Sequence, residues 1–127
     1  TNFTVIRSLN NCKITIPIRG YVGAENLFLE KHETWLNAVL KEYYKGKGIF
    51  IDVGANMGQT LIKFKSLHSA GKYLGFEPNP NCVSYLAHLI KLNEWNQIDL
   101  VSAGLGAENL MLPMYFDDPN PDLPPTG

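Results

Sequence analysis

Cysteine is nearly absent from this chain. Cys12 and Cys82 are the only two in 127 residues, with no Cys-x-x-Cys spacing and no histidine at ligand spacing. That pattern argues against a disulfide framework or a metal site and for two free thiols in a reducing compartment, with the cytoplasm as the expected location. Long hydrophobic runs are missing too: no stretch approaches the roughly 20 apolar residues of a membrane span. Neither sign of charge dominates, since eleven basic and twelve acidic side chains leave a formal net charge of −1. Such a balance gives no electrostatic reason to expect nucleic acid or an anionic membrane surface as partner. His32, His68 and His88 are far apart in sequence, and no pair has ligand spacing. Ser66, Ser69, Ser84 and Ser102 lack the context of a nucleophile elbow, so no catalytic residue can be named.

What is present describes one soluble globular domain with a real core. Hydrophobic residues make up 45% of the chain and charged ones 18%, outside the range of disordered sequences. The chain begins at Thr1 without a methionine, which leaves a processed or trimmed N-terminus open. Phe3-Thr-Val-Ile and the alternating Cys12–Ile18 read as two strands joined by a turn at Asn10-Asn11, with Pro17 suited to an edge or strand end. Residues 1–29 are therefore expected to form an accessory hairpin and loop.

The periodicity then changes. Glu30–Tyr44 reads as a helix, with Trp35, Leu36, Val39, Leu40, Tyr43 and Tyr44 at intervals of three and four. Its aromatic stripe of Trp35, Tyr43 and Tyr44 is expected in the core. Ile49–Val53 is an apolar run broken only by Asp52, as expected of a strand buried on both faces. Met57–His68 and Pro80–Leu92 read as further helices, with Lys72–Phe76 and Ile98–Ser102 as the strands that follow them. Strand–helix–strand–helix–strand indicates crossovers and a parallel sheet, an α/β fold of Rossmann-like type. Leu110–Phe116 could add one strand. Residues 30–116 are thus expected to be a Rossmann-like half-domain. Asp117–Gly127 holds four of the chain's eight prolines and reads as a proline-rich tail or loop.

The chemistry is concentrated between the first two parallel strands. Asp52-Val-Gly54-Ala55-Asn56-Met57-Gly58 forms the turn after the first, and Glu77 lies at the end of the second, 19 residues beyond Gly58. A glycine-bearing turn followed at about 20 residues by an acid is the arrangement that holds a nucleoside cofactor, the acid accepting from ribose hydroxyls. Glycines at such a turn are often there for packing alone, and a lone Glu77 would most simply be a solvated carboxylate. Their combination, with a charge at Asp52 inside an apolar strand that needs a partner, favours cofactor binding. The turn is Gly-x-x-x-Gly. Asn56 occupies the position where dinucleotide enzymes carry the glycine that admits a pyrophosphate, yet it still tolerates a left-handed backbone. A carboxylate at Asp52 would also repel phosphates. Both features favour S-adenosylmethionine over a dinucleotide.

Phe50-Ile-Asp-Val-Gly-Ala-Asn-Met-Gly-Gln-Thr, then Gly75-Phe-Glu-Pro-Asn-Pro and a helix leading to Leu92-Asn93, resembles the FkbM-type family of S-adenosylmethionine-dependent methyltransferases. The resemblance runs from about Trp35 to Leu112. It implies a truncated class I methyltransferase fold: a parallel three-strand half-sheet with helices, plus the N-terminal hairpin. It implies methyl transfer, usually to oxygen, with a small molecule or sugar as acceptor. By position, Asp52 would take the methionine end of the cofactor, and Gly54, Ala55, Asn56 and Gly58 would line the turn. Glu77 would hold the ribose, and Ala103 and Gly104 would offer backbone groups near adenine. The family's fourth strand, ending in an Asp-x-Glu-Gly-like segment, has no counterpart here. The chain is therefore expected to be the cofactor-binding portion, to bind the cofactor, and not to turn over alone. One edge of Ile49–Val53 would be bare unless the hairpin or another chain, including a second copy, covers it. The rival readings are a fragment of an NAD(P)-dependent oxidoreductase and a non-catalytic dimerising or interaction module.

Overall fold

The computed structural model describes residues 2–115. The hairpin consists of β1 (Asn2–Leu9) and β2 (Cys12–Arg19), paired antiparallel with Leu9 opposite Cys12. Its two-residue turn has Asn10 and Asn11 at φ 49° and 63°, both left-handed, the geometry that matches strand twist in a tight hairpin. A 3-10 helix (Ala24–Phe28) leads to α1 (Thr34–Tyr43). β3 (Ile49–Val53), α2 (Gln59–Leu67), β4 (Lys72–Phe76), α3 (Pro80–Leu92) and β5 (Ile98–Val101) follow. The three later strands form a parallel sheet in the order β3-β4-β5. The start of α3 is fixed locally: Pro80 fits the first turn, and the Asn79 side chain accepts from the Asn81 N–H at 2.9 Å.

Helices α2 and α3 form a middle layer between two β layers. One buried cluster joins Leu61, Phe64 and Leu86 to Leu40, Tyr44 and Tyr73, against the parallel sheet. The other joins Ile62, Tyr85 and Leu89 to Ile14, Ile16 and Ile18 of the hairpin. Being covered on both sides, α2 is buried continuously from Leu61 to Ser66, two lysines included. Lys65 is 1% exposed, and its ammonium donates to the carbonyls of Ser69, Gly71 and Asn96 at 2.9, 3.0 and 2.9 Å. All three of its donors are used, and they tie the end of α2 to the loop entering β5. Lys63 does the same at the other end, bonding the carbonyls of His32 and Glu33. Burial lowers the pKa of both ammonium groups.

Several sequence expectations are corrected. β3 is not buried on both faces: Ile49, Ile51 and Val53 are 57%, 56% and 62% exposed, while Phe50 and Asp52 are half-buried. The reason is that the buried clusters all lie on one side of the sheet, and nothing among the described residues covers the other. β3 is also an edge strand, and the hairpin, a separate sheet, is not paired with it. Helix α1 starts at Thr34 rather than Glu30, because Glu33 adopts φ 44° after a run of turns. Of the aromatic stripe only Tyr44 is buried; Trp35 and Tyr43 face solvent. Residues 110–115 form no strand, having no strand to pair with. Phe116 and the Asp117–Gly127 tail lie outside the described residues. Among those residues no helix is long and apolar enough to cross a membrane.

Replacing Lys65 by methionine keeps most of its volume but takes the donor from three carbonyls. Only the bond to Gly71 O is buried, since Ser69 and Asn96 are exposed residues whose carbonyls can turn to water. One buried acceptor left unpaired costs about 1–3 kcal/mol, so Lys65→Met is expected to lose about 2 kcal/mol. Urea unfolding measures it, and a loss below about 1 kcal/mol would show that Gly71 O finds another partner.

Candidate functional site

The three parallel strands end on one edge, where their loops bond to one another in a row. The N–H groups of Gly54 and Ala55 donate to Phe76 O at 2.8 and 3.0 Å, and Glu77 N–H donates to Val101 O at 3.0 Å. Within the first loop Gly54, Asn56 and Gly58 are left-handed at φ 87°, 47° and 83°. Asn56 therefore performs the tight turn that its residue type allows. The two glycines differ in purpose. A Cβ on Gly54 would meet no atom within 4 Å, so the backbone there is open to a close-lying molecule. A Cβ on Gly58 would lie 2.9 Å from both Leu86 Cδ2 and Leu89 Cδ2, so this glycine lets α2 pack on α3.

Glu77 is only 6% exposed and joins two loops. Its Oε2 accepts from Asn56 N–H and its Oε1 from Asn79 N–H, both at 2.8 Å. The two stretches that the sequence paired by spacing are thus in direct contact. Each carboxylate oxygen has one lone pair engaged and keeps capacity for another donor. The Cys82 thiol sits 3.5 Å from Asn56 Oδ1, and burial, then Glu77 and Glu25, raise its pKa.

The partner of Asp52 is a phenol rather than a cation. Tyr73 O–H donates to Asp52 Oδ2 at 2.5 Å. Desolvation raises the Asp52 pKa, the Tyr73 hydrogen bond pulls it back, and the Glu77 charge raises it again. Burial, followed by the Asp52 charge, pushes the Tyr73 phenol far above its usual range. The geometry depends on Gly75, which pairs with Asp52 across the sheet. A Cβ there would lie 2.8 Å from Tyr73 Cε1, so the missing side chain lets the ring lie along the strand to reach Asp52.

Open clefts flank this edge. One, of about 450 Å³, is lined by Gly54, Ala55, Asn56, Gln59 and Thr60 together with Glu25, His32, Glu33 and Lys63. The other, of about 600 Å³, is lined by Pro78, Gly104, Leu105 and Leu112 among others. Both volumes are in the range of small-molecule sites, roughly 300–1,000 Å³. Asp52, Gly58, Glu77 and Ala103 line neither cleft. Ala103 turns its N–H back to Val101 O at 2.9 Å, so of Ala103 and Gly104 only Gly104 lines a cleft. Sequence reasoning missed Tyr73 and Gly75. The period-two pattern carried the signal, since both share a sheet face with Asp52.

No protein-family profile matches the chain, and no curated protein sequence matches it. Solved structures do. The M. jannaschii TYW2, crystallised in complex with AdoMet, superimposes with a TM-score of 0.55 at 17% identity, over 79% of this chain and 43% of that one. PH0793 of Pyrococcus horikoshii, whose transferase activity is a provisional assignment, gives 0.53 at 14% identity, over 80% of this chain and 36% of its own. The chain spans less than half the length of either protein. It has the α/β fold of these proteins over that part.

A group whose folded pKa is raised favours folding below its ordinary value, and that contribution is lost as pH rises through the raised value. For Asp52 the loss begins above 3.8. Asp52→Asn keeps an acceptor for Tyr73 and removes the titration. Its stability relative to the wild type is expected to grow as pH rises from below 3.8 to neutrality. Urea unfolding across that range measures the difference; a pH-independent difference would contradict the raised pKa.

Proposed function

We propose that the chain is the S-adenosylmethionine-binding portion of a methyltransferase. The observation that carries this reading is the Asn56–Glu77 hydrogen bond, 2.8 Å long, which joins the glycine turn to the acid at the end of the next strand. The residues present fit such a cofactor. Gly54 leaves its backbone open, and Asn56 makes the left-handed turn at the position where dinucleotide enzymes carry a glycine. Asp52 and Glu77 bring two carboxyl groups to this edge, a donor set that suits an ammonium and a sulfonium and disfavours phosphates. When bound, S-adenosylmethionine supplies an activated methyl group on a sulfonium.

In this reading Asp52, steadied by Tyr73, serves the methionine end. Gly54, Ala55 and Asn56 form the floor of the turn, with Gly58 fixing it to α3. Glu77 accepts from ribose hydroxyls with its remaining lone pairs, and Ala103 and Gly104 flank the adenine side. The chain's contribution is orientation, which in group transfer supplies much of the rate. The motif wording further supports an FkbM-type enzyme, transfer to oxygen, and a small-molecule or sugar hydroxyl as acceptor, while the two free thiols favour the cytoplasm. Acceptor contacts would come from beyond these residues. The non-catalytic reading has one specific observation in its favour, the bare edge and exposed Ile49, Ile51 and Val53 of β3, a surface that suits a second copy.

Calorimetric titration of S-adenosylmethionine into the purified chain tests the proposal, with Gly104→Leu as the first variant. The nearest atoms to a Cβ at Gly104 are those of Pro78 at 3.8 Å, so a side chain can start there at ordinary contact distance, at a residue that lines the cleft. Wild-type binding is expected, weakened at least about tenfold, equivalent to ~1.4 kcal/mol, by Gly104→Leu with an unchanged unfolding midpoint. Glu77→Ala is expected to weaken binding and lower the midpoint together, because it also releases two loop N–H groups. A folded wild type that takes up NADH and not S-adenosylmethionine would sink the reading in favour of an oxidoreductase.

A further inference from the structure

The glycine turn is held from one side by Phe76 O and Glu77. A second hold comes from the N-terminal segment, from a side chain the sequence did not single out. Asn26, in the 3-10 helix, is 2% exposed. Its Nδ2 donates to Met57 O at 2.7 Å and to the Tyr85 hydroxyl at 3.1 Å, and that hydroxyl donates to Pro17 O at 3.0 Å. Met57 C=O and Gly58 N–H belong to one peptide group. The carbonyl is bonded by Asn26, and the N–H donates to Ala55 O at 2.9 Å. Ala55 in turn donates to Phe76 O and lines the 450 Å³ cleft. The orientation of the Met57–Gly58 peptide, and through it the path of Gly54–Asn56, therefore depends on a side chain 31 residues earlier.

Two further observations separate this from ordinary packing. Asn26 Oδ1 is buried and has no partner among the described residues, a penalty that an apolar side chain would avoid. A position that keeps a half-satisfied amide in an apolar cluster breaks the local rule for cores, and such breaks concentrate where function sets the residue. Gly23, three residues earlier, has φ 90°, and a Cβ on it would lie 2.5 Å from Pro17 O. Only glycine lets this segment come close enough for Asn26 to reach the turn.

We infer that Asn26 is a positioning residue for the cofactor turn: its amide locks the Met57–Gly58 peptide and so presets the backbone against which S-adenosylmethionine lies. The inference rests on the cofactor reading given above. Asn26→Leu removes the amide while keeping its branched shape, and Tyr85→Phe removes the neighbouring hydroxyl while leaving the Asn26–Met57 bond. Calorimetry, thermal unfolding and amide hydrogen exchange are measured on all three proteins.

Asn26→Leu is expected to weaken S-adenosylmethionine binding about tenfold and to speed exchange at Gly58 N–H, while Tyr85→Phe lowers the unfolding midpoint and leaves affinity within about twofold. Equal affinities for Asn26→Leu and the wild type, or affinity losses in both variants that track their midpoints, would overturn the inference. If the wild type takes no S-adenosylmethionine, the cofactor reading fails, and Gly58 exchange in the ligand-free proteins alone decides whether Asn26 locks the peptide. If Asn26→Leu does not fold, Asn26→Ser carries the same expectations, its hydroxyl being shorter than the amide it replaces.

Discussion

A single buried carboxylate organises the edge of the sheet where the three parallel strands end. Glu77 holds Asn56 N–H with one oxygen and Asn79 N–H with the other, so it closes the turn after β3 and at the same time sets the residue that caps α3. Without it two loops would present unpaired donors at the rim of the sheet, and backbone donors in such positions are rarely left unpaired. The left-handed residues of the turn, Gly54, Asn56 and Gly58, are tolerable because this bond and the paired N–H groups of Gly54 and Ala55 determine the path around them. Structure and proposed function converge on one side chain, whose two engaged lone pairs build the site and whose free ones would serve it.

The layering of the molecule explains which polar groups are buried. Helices α2 and α3 face the parallel sheet on one side and the hairpin on the other, so α2 has no solvated face in its middle and its lysines must find partners inside. They do so with backbone carbonyls at helix and loop ends, groups that need a donor in any case. The hairpin is therefore more than an appendage. It completes the burial of α2 and α3 and, through Pro17, Tyr85 and Asn26, reaches the same turn that Glu77 holds from the opposite side.

The sheet itself is asymmetric. Phe50, Tyr73, Ile98 and Leu100 point toward helices, whereas Ile49, Ile51 and Val53 point away from everything described. An apolar face of this kind beside an unpaired β3 edge is a natural seat for further sheet and helix or for another copy. Asp52 lies on the opposite, helix-facing side, where desolvation is the main cause of its raised pKa. The carboxylate is half-buried at an edge, close enough to Glu77 to feel its charge and held by a phenol that cannot neutralise it.

By itself the sequence determined the order of elements, the limits of β3, β4 and α3, the Asn10-Asn11 turn, and the pairing of the glycine turn with Glu77. These follow from local causes: hydrophobic period, turn chemistry, proline at a helix start, and the fixed reach of a strand–helix–strand unit. Tertiary structure decided the rest. Whether the apolar run of β3 is covered depends on which sides of the sheet receive helices, and periodicity does not carry that. The burial of Lys63 and Lys65 depends on the hairpin arriving over α2 from distant residues, and their composition pointed to solvent. Tyr73, Gly75 and Asn26 acquire their roles only when strands come into register and a 3-10 helix docks beside Met57. A hydrogen bond across 31 residues has no local signature, because what selects it is the geometry of packed layers rather than the spacing of residue types.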